Sequence, residues 1–120
     1  MTHKEATNYL RRFYYSINTD PSVRAVLKRN MVDPTGTRKR KVFGISGLIT
    51  GLYDPNAKKN KIHLNPSRQR FGGIVKACIH ELLHHIHYDK NEVWVLQKET
   101  EIYDALSDRQ LTNLMRKIFT

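Results

Sequence analysis

The densest chemistry in the chain lies in Val75-Lys76-Ala77-Cys78-Ile79-His80-Glu81-Leu82-Leu83-His84-His85-Ile86-His87. Within it, His80, Glu81 and His84 form the pattern H-E-x-x-H. On a helix of 3.6 residues per turn, His80 and His84 lie one turn apart on the same face, so both imidazoles can reach a single zinc ion. Glu81 stands beside them, where its carboxylate can take a proton from a zinc-activated water attacking a polarised carbonyl. The pattern points to metal-assisted hydrolysis with one zinc per chain. The plainer alternative is a hydrogen-bonded histidine cluster. Ala77, Cys78, Ile79, Leu82, Leu83 and Ile86 mark this helix as buried, and two histidines beside a glutamate are costly in a core unless something satisfies them. A metal would do so.

A catalytic zinc needs a third protein ligand and an open position. His87 shares the helix face, but helix rise places it roughly 10 Å from His80, too far to share the ion. His85 points elsewhere. The longer pattern H-E-x-x-H-x-x-G-x-x-H fails, because position 87 is His instead of Gly and position 90 is Lys instead of His. Carboxylates on the next helix remain. Val95, Glu99, Ile102 and Leu106 recur at helical spacing, so Glu99 is a lone acid on an apolar face and is the preferred ligand. Glu101 shares its face with Gln97, Lys98 and Asp104, which suits a solvated surface acid. Glu92 is a third choice, or an acid that orients a histidine from outside the ligand set. Tyr103, Tyr88 and His85 are candidate donors to a tetrahedral oxyanion, each with packing or surface exposure as the plainer reading.

The elements that must position these residues can be read in order. Ala6, Tyr9, Leu10, Phe13, Tyr14 and Ile17 describe one face of an amphipathic helix over 3–18. Asp20-Pro21 then predicts a capped second helix carrying Val23, Val26 and Leu27 and ending near Asn30. Asp33-Pro34-Thr35-Gly36 is a turn, and Val42 to Tyr53 reads as a strand or strand pair bent at its glycines. Asp54-Pro55-Asn56 turns the chain into a short strand, Lys61 to Asn65, that stops at Pro66. Gly72-Gly73 precedes the metal helix, 74–87, and a further helix spans 92–106. Ser107 and Gln110 form a capping box for a last helix carrying Leu111, Leu114, Met115 and Ile118. The expected fold class is α+β: one compact domain over 1–120, with a small antiparallel sheet beside the active-site helix and helices at both ends.

The chain has 120 residues, 39% of them hydrophobic and 27% charged, which allows one modest core. No apolar run is long enough to span a bilayer, and the polar start Met1 to Leu10 has no signal-peptide core, so a cytoplasmic protein without membrane contact is expected. The single cysteine, Cys78, reads as a core thiol. The net charge of +10 includes dense runs at Arg38-Lys39-Arg40-Lys41 and Lys58-Lys59-Asn60-Lys61. Such a field attracts polyanions, so nucleic acid is a possible partner.

The H-E-x-x-H of His80, Glu81 and His84, followed by an acidic residue on a later helix, resembles the zincin metallopeptidases of the gluzincin type, among them the small ImmA/IrrE-like and minigluzincin-like members. The resemblance covers residues 42–106 in outline. It implies peptide-bond hydrolysis in a protein or peptide substrate, with zinc held by His80, His84 and Glu99 and with Glu81 as general base. The N-E-x-x-S-D signature of longer gluzincins is not present. Two readings from other classes stand beside it: a basic nucleic-acid-binding protein whose zinc is structural or absent, and a latent peptidase fold that serves as a binding module.

Overall fold

The computed structural model describes residues 1–27, 51–65 and 73–119. Its elements are α1 (His3–Thr19), β1 (Ala25–Leu27), β2 (Gly51–Tyr53), β3 (Ile62–Leu64), α2 (Gly73–Ile86), α3 (Glu92–Ala105) and α4 (Asp108–Ile118). The fold is α+β, as expected. The turn at 33–36, the basic run 38–41, the 42–50 part of the expected strand, and Pro66 and Gly72 lie outside the described residues.

Helix α1 starts where Thr2 and Glu5 form a capping box: the Thr2 hydroxyl accepts from the Glu5 backbone N–H at 3.1 Å, and the Glu5 carboxylate accepts from the Thr2 N–H at 3.3 Å. Its buried stripe is Ala6, Leu10, Phe13 and Ile17, at helical spacing. Helix α4 begins with the expected box at Ser107 and Gln110 and buries Leu111, Leu114 and Ile118. Helix α2 has apolar or buried residues on every side, since the sheet, α1, α3 and α4 all pack around it. No helix of the described residues is long and apolar enough to cross a membrane.

The sheet corrects two expectations. Residues 25–27 form strand β1, where the sequence predicts a second helix. The Asp20 carboxylate, expected to cap that helix, instead accepts from the Ser22 backbone N–H at 2.9 Å and from its hydroxyl at 2.5 Å, closing a local turn. The chain then runs extended beside β3: Lys61 donates its backbone N–H to Ser22 at 2.8 Å, and Ile62 donates to Arg24 at 3.1 Å. Val23 and Ala25 are buried while the residues between and after them are not, which is the two-residue period of a strand. Secondly, the sheet is mixed instead of purely antiparallel. Its order is β1-β3-β2, with β1 parallel and β2 antiparallel to the central β3. Ile62 and Leu64 of β3 join the core.

Asp20 also accepts from the Lys61 ammonium at 3.1 Å, so one side chain joins the end of α1 to the start of β3. The bonds from Ser22, its hydroxyl first and its backbone second, hold the carboxyl down to about 2, with Lys61 adding to them. A lowered folded-state value means that this contribution is present above the unfolded carboxyl's value and is lost as pH falls through about 2. Because the group is partly exposed and screened by solvent, its worth is modest. Asp20→Ala should lower urea stability by ~1 kcal/mol at pH 7, and the gap to wild type should close on acidification from pH ~4 to ~2. Matching urea midpoints at pH 7 would show that the turn is held by other contacts.

Candidate metal centre

Residues 87–91 link α2 to α3, and the paired side chains show the two helices running past each other in opposite directions. His87 packs on Trp94, His84 meets Glu92, and His80 meets Glu99. Helix α3 starts at Asn91, whose side chain accepts from the Trp94 backbone N–H at 2.9 Å. From there Val95, Glu99 and Ile102 face the core, as their spacing predicts. His80, Glu81 and Glu99 are buried at 3%, 1% and 0% exposure.

The His80 imidazole is engaged on both nitrogens. Its Nδ1 lies 2.8 Å from Glu99 Oε1. Its Nε2 lies 3.1 Å from His84 Nε2, and both atoms meet the carboxylate of Glu92: Oε1 contacts His80 Nε2, and Oε2 is 3.2 Å from His84 Nε2. Donor atoms of His80, Glu81 and His84 all lie within 4.8 Å of one another. Two nitrogens bound to one tetrahedral zinc at the usual bond length stand about 3.3 Å apart, close to the separation of the two imidazole Nε2 atoms and of His84 Nε2 from Glu92 Oε2, while Glu92 Oε1 lies in closer, hydrogen-bonding contact with His80 Nε2. The donor set, two imidazoles and one carboxylate, also suits that ion. The residues therefore fit the group.

Two of the acids of α3, Glu99 and Glu92, meet opposite sides of the His80 ring. Glu99, the preferred ligand by sequence, sits on the Nδ1 side of His80, away from the shared Nε2 atoms. Glu92, weighed as a third choice, is the acid that touches both Nε2 atoms. Glu101 bonds Lys98 at 3.1 Å on the surface, in keeping with the plainer reading of it. Tyr103 lies under the Lys76 ammonium, and His87 packs among Tyr9, Trp94 and Arg12, so neither is part of this cluster.

Electrostatics follow the geometry. Burial pulls the His80 pKa down, but bonds to the carboxylates of Glu92 and Glu99, with the charge of Glu81, outweigh it and raise the ring to about 9. In the metal-free chain a proton and a cation would compete for this ring. Burial, reinforced by Glu81, pushes the Cys78 thiol up to about 12, which leaves it an inert core group.

Beside the cluster opens a cleft of about 460 Å³ lined by Tyr53, Pro55, Glu81, His84, His85 and Tyr88. Tyr53 Oη and His85 Nδ1 share a hydrogen bond of 2.7 Å. Burial, with Lys61 nearby, lowers the His85 pKa and so favours its neutral form, and burial raises that of Tyr53. Sequence reading missed Tyr53, because its partner lies 32 residues away and only the packing of β2 on α2 joins them. Tyr88 is highly exposed at the rim of the cleft. Compared with family models, curated proteins and solved structures, the chain has no match.

The contrast between the buried Glu99 and the more exposed Glu101 is measurable in the metal-free protein. Glu99→Ala strands a buried imidazole and should cost about 3 kcal/mol in urea denaturation, whereas Glu101→Ala should fall within about 0.5 kcal/mol of wild type. Comparable losses in the two variants would contradict the burial of Glu99 against His80.

Proposed function

We propose that the chain is a zinc-dependent peptidase in which His80, His84 and Glu92 hold the ion, Glu81 is the general base and Glu99 orients His80. The observation that carries this reading is a pair of imidazole nitrogens 3.1 Å apart that share the Glu92 carboxylate, next to a buried carboxylate that lines an open cleft. Zinc bound there would polarise a scissile carbonyl and acidify a water. Beside such an ion Glu81 would be the base for the water's proton as the water oxygen bonds to the carbonyl carbon, and the acid that returns that proton to the leaving nitrogen as the C–N bond breaks. Glu99 accepts from Nδ1–H of His80 and so keeps the Nε2 lone pair available and the ring fixed. A neutral His85 that accepts from Tyr53 at Nδ1 carries its proton on Nε2 and can donate to an oxyanion in the cleft it lines. Among the described strands, β2 is terminal in the sheet and contributes Tyr53 to that cleft, so its backbone could hold an extended peptide by strand addition.

Elemental analysis and a protein-digestion assay test these roles. Wild type should carry one zinc per chain, and His84→Ala and Glu92→Ala should lose it. Glu99→Gln should keep zinc with affinity lowered roughly 10- to 100-fold. Glu81→Gln should retain the ion while hydrolysis falls by roughly 10²-fold or more. Absence of zinc from wild type after refolding in its presence would refute the reading. Full activity in Glu81→Gln would remove the general base, and a greater loss of zinc in Glu99→Gln than in Glu92→Ala would move the ligand role to Glu99.

A further inference from the structure

A second groove, of about 620 Å³, is lined by Arg11, Arg12, Tyr15 and Ser16 of α1 with His85 and Ile86 of α2. His85 lines both this groove and the cleft beside Glu81 and His84, so the two depressions meet at one imidazole. The floor and wall differ in charge from the cleft. Arg11 and Arg12 are exposed, and among the described residues neither forms an ion pair with a carboxylate. Arg12 is held in place by stacking on the Tyr9 ring at 5.5 Å and by contact with His87 Nε2 at 3.3 Å. Tyr15 is 71% exposed and offers an apolar face beside the two guanidinium groups.

We propose that this groove extends the substrate cleft and selects peptides that carry acidic side chains a few residues to one side of the scissile bond. The proposal rests on the peptidase reading above. A guanidinium recognises a carboxylate by a forked pair of hydrogen bonds, and two of them with no carboxylate partner among the described residues form a recognition site for acidic groups. The positive stretch is short. Residues 11–16 span roughly 8 Å of helix, about two or three residues of extended peptide. Beyond Arg12 the surface of α1 continues to Glu5, and beyond His85 the cleft carries Glu81. A continuous polyanion such as a nucleic-acid strand would meet these carboxylates at both ends, whereas a peptide with one or two acidic residues would not.

The test uses the 120-residue, zinc-loaded Glu81→Gln protein and fluorescent peptides of one sequence bearing Glu, Gln or Lys at the positions flanking the central bond, with binding read by anisotropy. The Glu peptide should bind about tenfold more tightly than the Gln peptide at low salt, and the advantage should fade at high salt. Adding Arg11→Glu and Arg12→Glu together should abolish that advantage, and Arg11→Gln with Arg12→Gln should reduce it. Lys58→Glu with Lys59→Glu, which changes net charge equally on an exposed turn, should leave it in place. Equal affinity for the Glu and Gln peptides would overturn the proposal, as would an advantage that survives in both arginine variants. Tighter, arginine-dependent binding of a single-stranded oligonucleotide of matched charge would also overturn it, in favour of nucleic acid. Zinc content and cleavage by the Glu81-containing protein separate the two levels of inference. Cleavage of Gln and Glu peptides at equal rates would sink the groove and spare the peptidase, whereas arginine-dependent binding of the Glu peptide without zinc or cleavage would sink the peptidase.

Discussion

The His80 ring, engaged at both nitrogens inside the core, is the constraint to which the two central helices are fitted. An imidazole at 3% exposure loses almost all its water, and its two polar atoms must be matched by protein groups or by an ion. Glu99 meets one side; His84 and Glu92 meet the other. Each of those groups needs its own support in turn. Glu99 is fully buried and its oxygen at 2.8 Å is the bond that justifies a carboxylate in the apolar face of α3. Glu92, at the first position of α3, has its negative charge favoured by the helix N-terminus.

Helix α2 reaches this arrangement because α1, α3, α4, β2 and β3 all pack on it. A helix with only one apolar stripe would leave His80 near water, where its hydrogen bonds would be exchangeable with solvent and its electrostatics screened. Here Ile79, Leu82 and Leu83 turn in other directions and are each fully buried, so the polar residues sit in a seam between α2 and α3. The small sheet contributes Ile62 and Leu64 beneath, and the stripes of α1 and α4 close the remaining sides. Three-residue strands would be weak as an isolated sheet. Packed on α2, they also place Tyr53 against His85.

Much of this was legible because it depends on local spacing. The H-E-x-x-H pair, the lone Glu99 on an apolar stripe, the α1 face and the Ser107 capping box all follow from one helical period. β1 was not legible, since Val23, Val26 and Leu27 fit a helical face as readily as Val23 and Ala25 fit a strand. Only the non-local bonds from residues 61 and 62, together with the Asp20 turn, decide between them. The position of Glu92 was obscured for another reason: an exposed acid in a first helical turn ordinarily needs no partner beyond the helix dipole. A signal did exist. In a tight helix hairpin, positions nearest the link face each other, which sets His84 opposite the first turn of α3 and His80 opposite its third.

That register also divides the centre into a rigid side and an accessible one. Moving from Glu99 through His80 to His84 and Glu92, side-chain exposure rises from 0% through 4% and 16% to 44%. The deep end fixes ring orientation where solvent cannot compete, while the shallow end faces the link between the helices. The cleft opens beside His84 and Glu81 at the middle of this gradient. The hydrolytic role proposed for this centre would need both properties at once, because the groups that hold geometry must not rearrange while water and substrate must still arrive. With all four donors equally buried, the ring would be just as well held but no substrate could reach it. With all four at the surface, the hydrogen bond from Glu99 would be open to exchange with water. The antiparallel hairpin provides the graded burial with two helices and a five-residue connection, which is how a chain of 120 residues can place such a site within a single core.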